Sequence, residues 1–77
     1  MFKYEELDYN EIVNNPSIDP DSADAVYAMA QCFKLGKGVQ VDENMYFNLL
    51  EEAAKLGNEA ANRELSIEEE EIVEKKS

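Results

Sequence analysis

The chain has 77 residues, 44% of them hydrophobic and 9% aromatic, with 18 acidic side chains, 7 basic ones, no histidine and a net charge of −11. That length allows a single domain, which buries only about 60% of the surface of its unfolded chain, while the apolar content is too high for a disordered polymer. Charge of this sign disfavours direct contact with nucleic acid or an anionic membrane and favours basic partners. No apolar run approaches the roughly 20 residues of a membrane helix.

In chain order, the first segment, Met1-Phe2-Lys3-Tyr4-Glu5-Glu6, turns acidic at once and lacks the apolar stretch of a secretory signal. Tyr4 to Asn15 is predicted as a short helix, with Leu7, Ile12 and Val13 apolar among acids. It ends at Asn14-Asn15-Pro16, because proline disfavours helix in the residue before it. Pro16 to Asp21, with its two prolines, reads as a connector. A second helix is expected from Asp21 or Ser22, either of which can cap it, with Asp24 suiting the dipole of the first turn. Ala25, Met29, Cys32 and Phe33 fall on one stripe of that helix. It stops at Leu35-Gly36, where glycine can take the left-handed conformation.

After Gly38-Val39-Gln40-Val41, Asp42 reads as the N-cap of a third helix. Its inner face is Met45 or Tyr46, then Leu49, Leu50, Ala53 and Ala54, with Leu56 as a further candidate. Gly57 ends it. From Asn58 a last helix carries Ala61, Leu65, Ile72 and Val73 as apolar positions, with Glu68 to Glu71 exposed. Glu71 and Lys75 make a favourable i,i+4 pair, and the final Lys-Lys-Ser is expected to fray. Ala61 follows Ala25 by 36 residues, and Leu65 follows Met29 by the same interval, which is the period of stacked helical hairpins.

These features carry a resemblance. Ala25, Met29, Ala30, Phe33, Gly36, Gly38, Val39, Asp42, Ala53, Ala54, Gly57 and Ala61 stand in a pattern similar to the Sel-one-like repeat, a relative of the tetratricopeptide repeat. The likeness covers one unit and the first turns of a second. Two positions depart from the usual pattern: Ala30 stands where glycine is common, and Met45-Tyr46 where a Lys-Ala pair is common. The resemblance implies an all-α fold: a hairpin over residues 22–57, an N-terminal flank over 1–21 and an acidic C-terminal helix over 58–77. It also implies a module that holds a partner protein, as adaptor or inhibitor, without catalysing a reaction. The first repeat helix of such proteins lines the partner-holding surface, which makes Tyr27 the anchor and Gln31 and Lys34 the polar contacts. Tyr46 and Phe47 form a second candidate patch, as exposed aromatics beside an apolar face.

Chemistry is sparse. Without histidine, Cys32 lacks the usual partner of an activated thiol, and its place on the apolar stripe reads as a buried structural thiol. A lone cysteine rules out an internal disulfide and suits a reducing, cytoplasmic setting. Gly36-Lys37-Gly38 follows a helix and lacks the ending of a phosphate loop. Asp19, Asp21 and Asp24 do not keep the ligand spacing of a calcium loop and read as capping groups. No enzyme, cofactor or metal is expected.

Charge supports a rival reading. The first 24 residues hold seven acids and one lysine, residues 25–57 are close to neutral, and residues 58–77 hold seven acids and three bases. Acids at helical spacing, Glu64, Glu68 and Glu71, would let the chain mimic nucleic acid and block a DNA- or RNA-binding protein, with binding that weakens steeply in salt. Self-association is compatible with either reading. Met1 and the charged ends favour a complete small protein over a fragment of a longer array.

Overall fold

Four side chains set where the helices begin. In the computed structural model, which describes residues 3–76 and their side chains through residue 67, Asp8 accepts from the amide of Glu11 at 2.9 Å while Glu11 returns a bond to the Asp8 amide at 3.1 Å. Ser22 accepts from Ala25, Asp42 from Met45 and Asn58 from Ala61. Each cap satisfies an amide that the first helical turn leaves without an intrahelical partner. The helices that follow are α1 (Tyr9–Asn14), α2 (Ala23–Leu35), α3 (Glu43–Lys55) and α4 (Glu59–Lys76), preceded by one 3-10 turn at Tyr4–Glu6. The chain is all-α, with no strand among the described residues.

The expected helix from Tyr4 to Asn15 is instead two pieces. Leu7 is extended and Asp8 caps a fresh start, so the reciprocal Asp8–Glu11 capping box breaks the segment that apolar spacing alone would join. At the far end of α2, Gly36 takes a left-handed conformation (φ 74), and the amides of Gly36 and Lys37 both bond to the Cys32 carbonyl. At the end of α3 the amides of Gly57 and Asn58 return to the carbonyls of Ala54 and Ala53, the paired closure of a Schellman motif. The caps Ser22 and Asn58 are 36 residues apart, as are the fully buried Ala25 and Ala61, so the sequence period recurs in the structure.

The core is centred on α2, where Ala25, Val26, Ala28, Met29, Ala30 and Cys32 are all buried. The predicted stripe missed Val26, Ala28 and Ala30 because α2 is enclosed on more than one side. The N-terminal segment, α3 and α4 all reach it. Small alanines let those neighbours come close, while Ile12, Leu50 and Ile18 supply bulk from α1, α3 and the connector. On α3 the buried set is Tyr46, Leu50 and Ala53, so the Met45-or-Tyr46 alternative resolves to Tyr46, and Met45 faces solvent. Leu56 is 50% exposed and does not belong to the inner face. It sits in the closure after α3, where the chain already turns away. Phe33 is half-buried, its ring edge-on to Tyr9 at 5.3 Å. The expected burial of Ile72 and Val73, the exposure of Glu68 to Glu71, the Glu71–Lys75 pair and the fraying of the end concern side chains or residues outside the described set.

The glycine turn between α2 and α3 also receives the N-terminal flank. The Tyr9 amide bonds to the Lys37 carbonyl at 3.0 Å, and the Lys37 ammonium bonds to the Glu5 carbonyl. A Cβ at Gly38 would lie 3.0 Å from both Cβ and Cγ of Asp8, on a backbone at φ 80. Gly38→Ala is therefore expected to cost about 1–2 kcal/mol from the left-handed conformation alone and to push Asp8 off its cap. A lower urea midpoint, with faster amide exchange confined to residues 4–14, checks this.

Candidate functional site

Tyrosine rings on α2 and α3 have apolar bodies and hydroxyls that need partners when they pack inside a small domain. Tyr27 and Tyr46 both find one in Glu64 of α4. The Tyr27 hydroxyl donates to the Glu64 carboxylate, and the Tyr46 hydroxyl donates to it at 3.0 Å. The Gln31 amide nitrogen reaches both carboxylate oxygens, at 3.3 and 3.2 Å. Lys34 lies 3.8 Å from the carboxylate and 5.3 Å from the centre of the Tyr46 ring, so its ammonium is shared between an anion and a π face. One acidic group thus gathers donors from two other helices. A carboxylate offers about four lone-pair positions, and this arrangement uses most of them.

The geometry places the residues expected from sequence as follows. Tyr27, Gln31, Lys34, Tyr46 and Glu64, assigned by sequence to three separate patches, form one cluster. Tyr46 is not an exposed aromatic: it is 4% exposed and belongs to the core, because its hydroxyl is drawn inward to Glu64. Phe47 is half-buried with its ring 5.0 Å from that of Tyr46. Glu68 and Glu71 lie on α4, with side chains outside the described set. The role of Glu64 was missed, although a signal was present: it falls three residues after Ala61 and one before Leu65, on the edge of the apolar stripe of α4.

Beside this cluster lies an open groove of about 690 Å³ between the N-terminal segment, α2 and the first turn of α4. Tyr27, Ala28, Gln31 and Leu35 form its α2 wall, Lys3 to Glu5 its opposite rim, and Asn58 and Ala60 one end. Leu35 is 62% exposed there. Asn58 donates to Asp24 at 3.1 Å and so ties the start of α4 to the start of α2. The groove combines an apolar side chain, two polar tips and charges of both signs, Lys3 and Lys37 against Glu5 and Asp24. Asp19 and Asp24 are engaged by the Asp21 amide and by Asn58 respectively, and no group of three or more metal-ligating side chains occurs among the described residues.

Burial, the hydrogen bond to Glu64 and the charge of Glu64 together push the Tyr27 phenol from its ordinary 10.0 up to about 12. Because the folded phenol keeps its proton longer than the unfolded one, the stability that Tyr27 supplies is complete below about pH 10. It is lost as pH rises toward 12. Absorbance titration of the phenolates is expected to show a late component that shrinks by one group in Tyr27→Phe. Burial, opposed by Lys37, likewise raises the Cys32 thiol, which keeps it protonated and unreactive at neutral pH.

Among the described residues no helix is long and apolar enough to cross a membrane. Comparison with known proteins gives no match: no family model, curated protein or solved structure corresponds to the chain. The class defined by fold and site is a small all-α domain with a helix hairpin, a polar cluster at Glu64 and an adjoining open groove.

Proposed function

We propose that the chain is a non-enzymatic protein-interaction module of the Sel-one-like kind, an adaptor or inhibitor acting in the cytoplasm, which holds a segment of a partner protein in the groove along α2. The groove itself carries this reading. It offers an exposed Leu35 for an apolar anchor, with Tyr27 and Gln31 for polar contact. A protein segment held in a groove is recognised through apolar anchors that enter it, and the Glu64 cluster holds Tyr27 and Gln31 in place before binding. The same cluster engages the Glu64 carboxylate inside the molecule, which supports the hairpin reading over the use of Glu64 as a phosphate stand-in.

The test uses a partner recovered by affinity capture. Leu35→Gln changes one exposed groove residue and leaves core and cluster intact; it is expected to weaken binding by tenfold or more, as loss of a buried apolar anchor does. Glu68→Gln with Glu71→Gln is expected to leave binding within about twofold, since on this reading binding rests on the groove and not on the acidic run. The reverse pattern would move the site to the acidic helix and favour nucleic-acid mimicry.

A further inference from the structure

The Glu64 cluster is divided by a hinge. Among the described residues, the groups that meet the carboxylate, Tyr27, Gln31, Lys34 and Tyr46, are on α2 or α3, and the acceptor alone is on α4. The two sides are joined by three residues, Leu56, Gly57 and Asn58. Gly57 holds the bend at φ 104, and nothing lies within 4 Å of where its Cβ would be, so the bend is held by the hydrogen bonds of its closure and by the tie from Asn58 to Asp24 rather than by packing on Gly57. If Gly57 enters the helical region, α3 runs on into α4 as one rod over residues 43–76, about 50 Å long at 1.5 Å per residue. Glu64 is then carried away from its own donors, and each hairpin is left with an unfilled carboxylate site.

We infer that a second copy of this chain fills that site: the hairpin face at Tyr27, Gln31, Lys34 and Tyr46 is a receiver for α4, occupied within one chain in the monomer and by exchange between two chains in a dimer. The occupant is argued from complementarity, since the segment that fits the receiver is present in every copy. The exchange closes on itself, because each chain gives one Glu64 and receives one, as a two-fold interface requires. Leu56 and Ile67, 50% and 55% exposed, stand on the hinge and on α4, where an added copy can cover them. A short linker holds the cis contact at an effective concentration in the millimolar range, so the monomer prevails in dilute solution and the dimer appears when the hinge is biased. This inference does not depend on the groove, and its readout is oligomeric state rather than partner binding.

Sedimentation equilibrium on the full chain is the first arm. Gly57→Ala disfavours the left-handed bend by about tenfold in each chain, hence about a hundredfold in the dimer association constant, because two hinges open. The second arm identifies exchange. Lys34→Glu and Glu64→Lys, each in the Gly57→Ala background, place like charges together in either chain alone. Mixed, an exchanged pair restores opposite charges at both receivers. A heterodimer share of about nine-tenths, against the random half, is expected for a roughly tenfold preference, since like-charge juxtaposition is selected against. Gly57→Ala remaining monomeric in the millimolar range, or dimers pairing at random, would overturn the proposal. The unaltered chain at high concentration serves if the variants fold poorly, with dimerisation expected there and its absence counting against exchange.

Discussion

Leu50→Ala is expected to lower the unfolding free energy by about 2–5 kcal/mol, the range for truncating a fully buried leucine. Leu50 is completely buried near the centre of α3, in one core with the buried alanines of α2. Alanines cannot extend to fill the space left behind, so the site collapses poorly and the upper half of that range applies. A chain of this length has about 4–12 kcal/mol in total at the usual stability per residue. The substitution therefore removes a large share of what holds the fold. Urea denaturation should show a much lower midpoint at an unchanged slope, whereas Leu50→Met, which conserves volume, should cost less than about 1.5 kcal/mol.

Glu64→Ala is expected to cost about 2–3 kcal/mol and to act on a different part of the molecule. It removes the acceptor shared by Tyr27, Gln31 and Tyr46 and the counter-charge of Lys34. The buried Tyr46 hydroxyl loses its bond to that carboxylate, and hydrogen bonds to a charged group are among the stronger ones. Water can reach Tyr27 and Gln31, which limits the loss. Ala61 and Leu65 still pack α4 against the hairpin, but α4 is largely charged, and an isolated helix of 18 residues is marginal in water. Amide exchange should therefore rise along residues 59–67 before it rises in α2 or α3. A double-mutant cycle of Glu64→Ala with Tyr46→Phe should return a coupling of about 1–2 kcal/mol, as expected for groups in one network.

Much of the architecture was legible in the sequence because the residues that punctuate helices act locally. Asp42, Gly36 and Gly57 were assigned their places from type and spacing, and each holds that position; of the two candidates for the cap of α2, Asp21 and Ser22, the structure uses Ser22. One failure was local: the Asp8–Glu11 capping box that breaks the N-terminal helix is a short-range signal, which apolar spacing overrode. The others occurred where a tertiary neighbour decides, as where Asp8 lies against Gly38, a contact 30 residues away in the chain that no local pattern carries. The spread of burial around α2 follows from three neighbours at once, and a one-stripe reading undercounts any helix so enclosed. Of the site, the individual residues were legible and their union was not. Tyr27, Gln31 and Lys34 follow helical spacing, but their meeting with Tyr46 and Glu64 spans three helices.

That union shapes how a partner could bind. A groove wall built from free tyrosine and glutamine side chains would first have to immobilise them, at about 0.5–1.5 kcal/mol for each flexible side chain. Here Glu64 has already done so, which leaves the groove wall rigid beside an exposed leucine.

The most direct measurement is affinity capture with the intact chain, in parallel at about 0.1 M and 0.5 M salt, a change that strongly screens contacts between exposed charges. Binding through the groove predicts a partner retained at the higher salt and lost with Leu35→Gln. A partner with a basic surface, released at the higher salt and indifferent to Leu35, would contradict the account.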